Sequence, residues 1–218
     1  MTIAERKPYK RAGEEIRREA MIAAALDLIA EGGIAAATIR AIAEKVGVTP
    51  GLIRHYFKTK EDLTRAAYQA LMEQMTQASA LVLDTAPEGA MARLAAFVAA
   101  SLRPPVVDPA AMGLWAGFIH QVQRDPLLRE VHSTTYLGYR DVLQGLIAAL
   151  PRQADAARLR AEAIACNGVL DGLWLEACAL PEAFVKDELA EIGLRSVGAI
   201  LGVNLLDGFL MNGAGPSA

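Results

Sequence analysis

Residues 43–63 read AEKVGVTPGLIRHYFKTKEDL, and the helical pattern leading into them starts just after Thr38. Ile39, Ile42, Ala43 and Val46 fall on one stripe at helical spacing, and Gly47 closes that stripe. Thr49 is placed to cap a following helix, with Pro50 at its first position, where a missing N–H costs nothing. Val48, Ile53 and Phe57 recur at helical spacing and are expected to face inward. Pro50, Gly51, Leu52, Arg54 and Tyr56 are then left facing out. Thr59, with Asp62 three residues on, opens a longer helix through a capping-box pattern. Two short helices joined by a tight turn around a glycine form a helix-turn-helix, whose second helix need only be long enough to enter the major groove of DNA.

The surrounding sequence is helical in period almost throughout. Glu14 to Glu31 carries Ile16, Ala20, Ala23, Ala24 and Leu28 on one side and stops at Gly32-Gly33. Beyond the fourth helix, expected from Thr59 to about Leu83, prolines 87, 104, 105, 109, 126, 151 and 181 divide the chain into about five more helices. No apolar run alternates with period two between turn residues, so no sheet is expected. The fold class is all-α, with about nine helices in which a three-helix head precedes a helical body.

With 53% apolar residues in 218, the chain has ample material for a core. The net charge is −3, yet residues 1–65 hold 12 Lys+Arg against 9 Asp+Glu, while residues 66–218 hold 10 against 16. A basic head on an acidic body suits a protein that approaches a polyanion end-on. No apolar run is long enough to span a bilayer, and no apolar segment follows the N-terminal cations as a signal sequence would require, so a cytoplasmic protein without membrane contact is expected. Cys166 and Cys178 stand twelve apart on one helical pattern, about 18 Å along it, too far for a disulfide. His55, His120 and His132 belong to no H-E-x-x-H or Glu-x-x-His pattern, and there is no glycine-rich phosphate loop. Neither catalytic residues, a metal site nor a cofactor is expected.

On the head, Gly51 lets backbone approach DNA, Leu52 offers apolar contact to a thymine methyl, and Arg54 can donate a fork to guanine or phosphate. Tyr56, Lys58 and Lys60 suit phosphate oxygens, and Thr38 and Arg40 add a hydroxyl and a cation at the start of the preceding helix. The run TIRAIAEKVGVTPGLIRHYFKTKEDL, after a helix ending in EGG, resembles the DNA-binding head of the TetR family of repressors over roughly residues 14–74. The resemblance implies a homodimer, a double-stranded DNA operator, and a body that binds a small-molecule effector. Carried over position by position, it places DNA contacts at Thr38, Arg40, Thr49, Pro50, Gly51, Leu52, Arg54, Tyr56 and Lys60, and leaves His55 as either a packing or a phosphate residue. It also implies the domain plan: a basic arm over 1–13, the helix-turn-helix domain over 14–74, a ligand-binding and dimerisation domain over 75–203, and a flexible tail over 204–218. The fourth helix is then expected to be the one continuous element joining head to body.

Within the body, LWAGFIHQVQRDPLLREVHSTTYLGYRDVLQGLIAALP and NGVLDGLWLEACAL resemble the BetI-like, choline-responsive branch of that family. Trp115 and Phe118 are three apart on one helix, and Asp171 and Trp174 three apart on another. An acid beside two indoles suits a quaternary ammonium, at about 0.5–2 kcal/mol per ring, with Tyr136 and Tyr139 as further lining residues. The alternative is that these rings belong to the core or the dimer interface. For the interface, Leu159, Ala163, Cys166, Leu170, Leu173, Ala177 and Leu180 form one seam, and Leu189, Ile192, Ser196, Ala199 and Val203 another, with Gly193, Val197 and Ile200 competing. A regulator that answers to a protein partner, without a small ligand, is the other functional reading.

Overall fold

The computed structural model describes the backbone of residues 3–207 and the side chains of residues 13–207. Nine α-helices follow one another: α1 (Ile3–Gly32), α2 (Ile39–Val46), α3 (Pro50–Tyr56), α4 (Lys60–Leu81), α5 (Ala90–Ser101), α6 (Pro109–Val122), α7 (Pro126–Ala148), α8 (Ala156–Ala179) and α9 (Glu188–Leu201), with no strand among the described residues. Because α1 begins at Ile3, the segment expected as a separate basic arm enters the first helix, although the side chains of residues 1–12 lie outside the description.

The helices divide into two compact units. The first holds the described residues up to Leu71 together with Gly113–His132; the second holds Met72–Met112 and the described residues from Ser133 on. Hence α4, α6 and α7 each contribute to both units, and α4 is not the one element shared between them.

In the first unit, local signals set each helix end. Thr38 Oγ1 accepts from the Ala41 N–H at 3.1 Å, and Thr49 Oγ1 from the Leu52 N–H at 3.3 Å. Each such cap is worth about 1 kcal/mol. Between them Gly47 sits at φ 72° and its N–H returns to the α2 carbonyls, a left-handed residue that only glycine adopts at no steric cost. The capping box at α4 is reciprocal: the Thr59 N–H donates to Asp62 and the Asp62 N–H to Thr59 Oγ1, both at 3.0 Å. Ile42, Ala43, Ile53 and Phe57 are buried with Met21, Ala25 and Ile29 of α1, as the pattern of Ile53 and Phe57 requires. Lys45 joins α2 to α1 through Asp27 and Glu31, at 3.3 and 3.0 Å. The Arg18 guanidinium lies 5.4 Å from the centre of the Phe57 ring.

In the second unit, α5, α8, α9 and the later half of α7 enclose one core that includes Phe97, Leu143, Ile147, Leu170, Leu194 and Val197. Gly193 allows α9 to close on the end of α5, since a Cβ there would overlap the Leu102 side chain. Most of the first expected seam of α8 turns inward: Ala163, Cys166, Leu170 and Ala177 are buried in the core of their own subunit and Leu159 and Leu173 pack against it, whereas Leu180 is exposed. On α9, Gly193 and Val197 also face that core, whereas Ile192 and Ala199 are exposed. Both cysteines are free and buried. Within the segment expected as a flexible tail, Asn204 Oδ1 accepts from the Leu206 N–H at 3.1 Å and Leu205 enters the core at 1% exposure. Residues 208–218 lie outside the described residues.

One ion cluster anchors the connection from α7 to α8. Glu162, 8% exposed, takes a two-armed contact from the Arg152 guanidinium and a 2.9 Å bond from Arg158 Nε. Arg152 first and Arg158 second hold the Glu162 carboxyl at about 2, against the opposing effect of burial. A depressed folded-state value means that the pair stabilises the protein fully above the ordinary value of 4.5, and that this contribution drains away as pH falls towards about 2. Unfolding followed at a series of pH values is therefore expected to show Glu162→Gln well below wild type at neutral pH, with the gap narrowing between pH 4.5 and 2. A gap independent of pH would show that the cluster is not ionised in the native state.

Candidate functional site

Two groups of residues stand out, one in each unit. In the first, α2 and α3 present Arg40, Pro50, Gly51 and Arg54 to solvent, with Leu52 and Tyr56 half-buried. Thr38 and Thr49 use a lone pair as helix caps, which leaves each hydroxyl hydrogen for an outside acceptor such as phosphate. The cations divide by partner. Lys45 and Arg65 are held by carboxylates, and Lys60 Nζ donates to the Ile34 carbonyl at 3.3 Å, bracing the turn after α1. Arg40, Arg54 and Lys58 make no salt bridge among the described residues. His55 is exposed, edge-on to Tyr56 at 5.6 Å, so it does not pack in the core. A Cβ on Gly51 would meet only Thr49 Oγ1, at 3.8 Å; nothing within the subunit demands a glycine there.

Phe118 and Trp115 also belong to the first unit. Phe118 is fully buried and packs on Tyr68 with ring centres 4.8 Å apart, while Trp115 is half-buried on α6. Tyr68 in turn meets His132 Nδ1 through its hydroxyl at 2.7 Å. Phe118 is thus a core residue.

In the second unit, Tyr136 of α7 donates its hydroxyl to Asp171 Oδ2 on α8. Asn167, one turn before Asp171, donates Nδ2 hydrogens to the Tyr136 oxygen at 2.6 Å and to Asp171 Oδ2 at 2.8 Å. Burial first, and the Asp171 carboxylate second, push the Tyr136 phenol up to about 12. Tyr139 shares a 2.7 Å hydrogen bond with Ser101 Oγ, and Ser101 donates to Ser79 Oγ at 3.1 Å. Burial likewise drives the Tyr139 phenol upward. Trp174 donates Nε1–H to the Val106 carbonyl at 2.9 Å, tying α8 to the segment ahead of α6. The expected site residues Tyr136 and Asp171 therefore meet directly. Asn167 was not singled out by sequence, although its spacing of four from Asp171 on a helix is a legible sign of a side-chain pair. Among the described residues no cluster of His, Cys, Asp and Glu is arranged to hold a metal ion, and no helix is long and apolar enough to cross a membrane.

A capped two-helix turn with an exposed arginine on each of its helices, Arg40 and Arg54, in a chain whose described residues form helices and no strand, defines a DNA-binding regulator of the helix-turn-helix class. Residues 21–67 match the family described as bacterial regulatory proteins, tetR family, and residues 90–202 match the BetI-type transcriptional repressor C-terminal family. The chain belongs to the TetR family of transcriptional regulators, with a C-terminal domain of the BetI type. The HTH-type transcriptional regulator BetI of Klebsiella pneumoniae is 32% identical over 165 residues, 75% of this chain and 83% of that protein. BetI of Burkholderia thailandensis is 30% identical over 161 residues, 74% and 81% of the two chains. A transcriptional regulator from Pseudomonas aeruginosa PAO1 superposes with a TM-score of 0.79 at 30% identity, covering 89% of this chain and 94% of its own. A regulator from Saccharomonospora viridis, solved in complex with choline, superposes at 0.63 with 20% identity, covering 91% and 97%. The family and these relatives regulate transcription; they are not enzymes.

The Trp174 anchor has a measurable weight. Trp174→Phe keeps an aromatic side chain but gives up the indole N–H and part of its volume, leaving the Val106 carbonyl without its donor, and is expected to cost about 1–3 kcal/mol in urea denaturation. An unchanged midpoint would mean that the indole N–H contributes nothing to holding this segment.

Proposed function

We propose that the protein is a homodimeric repressor that reads its operator with α3 and is released from DNA by a small organic cation bound in the body. The observation that carries the DNA half is the division of the head's cations: Arg54 and Arg40 are exposed without salt bridges, beside a glycine the fold does not require. Arg54 and Leu52 read bases, while Thr38, Arg40, Thr49, Tyr56 and Lys60 contact the backbone, with Pro50 and Gly51 allowing close approach. Lys60 does so with the ammonium hydrogens that Ile34 leaves over. The head comprises residues 14–74, preceded by the basic segment 1–13, and the ligand and dimer functions lie in 75–203.

Dimerisation uses the open side of the second unit. Ile164 and Leu175 of α8 and Ile192 of α9 are 42%, 47% and 38% exposed. With the neighbouring Gly168, Gly172 and Ala199 also exposed, they supply a low-profile apolar face on which two helices of each subunit can pair. The effector reading is supported by the carboxylate and aromatic groups of Tyr136, Tyr139, Asp171 and Trp174, and by the choline in the Saccharomonospora viridis relative. Two recognition helices must stand about 34–36 Å apart to meet successive major grooves. A ligand that binds the mismatched state better shifts the population towards it by its differential affinity alone.

Arg54→Ala is expected to cost roughly 1–3 kcal/mol per half-site and to relax preference at one base-pair position. An unchanged ranking of sites in a randomised-operator selection would assign Arg54 to phosphate. Choline titrated onto the protein–operator complex is expected to release DNA, and calorimetry on the free protein to lose its heat in Asp171→Asn. If no ammonium compound binds, the regulator answers to a partner or to another class of ligand.

A further inference from the structure

The network around Asp171 contains one open position. Asn167 is 3% exposed, and its Oδ1 has no hydrogen-bond partner. Both uses of its Nδ2 group are taken, by Tyr136 and by Asp171. The orientation of the amide is dictated by that neighbour: turned over, Asn167 would set its oxygen against the Asp171 carboxylate, two acceptors with no hydrogen between them. The other buried polar atoms without a partner, Arg103 Nε and Arg152 Nε, belong to guanidiniums already paired with Asp187 and Glu162. Ser79, Ser101 and the Tyr139 hydroxyl satisfy one another. A buried acceptor left without a donor is rare in a folded protein, and here it is one helical turn from an acid on the same helix.

We infer that Asn167 is the specificity-determining acceptor of the effector site, and that the effector carries an O–H or N–H donor as well as its positive charge. This rests on the cation reading of the same site. The charge is answered by the Asp171 carboxylate and the aromatic faces around it. The donor is answered by Asn167 Oδ1, held in place by its own two hydrogen bonds. A site built to pair a ligand hydroxyl discriminates strongly against the analogue that lacks it, because the buried acceptor is again left unpaired.

The test is calorimetry on the full-length protein with three cations of matched charge: choline, its O-methyl ether, and ethyltrimethylammonium. Wild type is expected to bind choline about tenfold or more tightly than either analogue, and that preference is expected to vanish in Asn167→Leu. Asp171→Asn is expected to weaken all three together. Equal affinities in wild type would overturn the inference while leaving a cationic effector standing, and this comparison does not depend on the folding of any variant. A preference that persists in a folded Asn167→Leu would place the acceptor elsewhere and overturn the assignment. If none of the three binds, the cation reading falls and this inference with it.

Discussion

A helix of seven residues cannot sustain itself in water, and α3 is that short. Everything about the head follows from the need to hold it. The Thr49 cap starts it, the left-handed Gly47 turns the chain into it, and the buried Ile53 and Phe57 clamp it to the helices behind. Burying each of those two side chains is worth about 1.5–3 kcal/mol, more than any single contact the outer face makes within the subunit. The consequence is a division of labour by helical face. Inward residues supply stability, so outward residues are free to be chosen for what they meet outside.

The second unit solves a different problem, which is how to keep polar groups in a packed interior. The hydroxyls of Ser79 and Tyr139 are both paired with that of Ser101, and Glu162 is surrounded by two guanidiniums. The cluster of Tyr136, Asn167 and Asp171 has the same character but is not closed, since Asn167 keeps an unmet oxygen. Within a low-dielectric interior a satisfied network rigidifies what it joins, and a buried acceptor left unmet is costly.

The head was legible in the sequence because its signals are local. Thr38, Gly47, Thr49-Pro50 and the Thr59–Asp62 box each mark a boundary within four residues of their partner, and each boundary lies within a residue or two of the observed one. The body was less legible for a reason that α8 makes plain. It is rich in Ala, Gly, Cys and Leu on all sides, so Leu170 inside and Leu175 outside look alike to any periodicity. Partners across the body are also remote in the chain: Tyr136 and Asp171 are 35 residues apart, and Trp174 and Val106 are 68 apart. Spacing on one helix told that Asp171 and Trp174 share a face. It could not tell that a phenol would take the acid and a backbone carbonyl the indole.

Cys166 and Cys178, at 0% and 2% exposure, have a meaning of their own. Burial pushes the Cys166 thiol up to about 12, and raises Cys178 as well, so almost no thiolate exists at neutral pH and little solvent reaches either sulfur. Neither thiol is therefore open to ready oxidation while the protein stays folded. The same burial makes α8 its own clock. A thiol-specific reagent modifies these residues only in the moments when the helix lifts from the core, so the rate of modification reads out the opening of the second unit, with no label added to the chain.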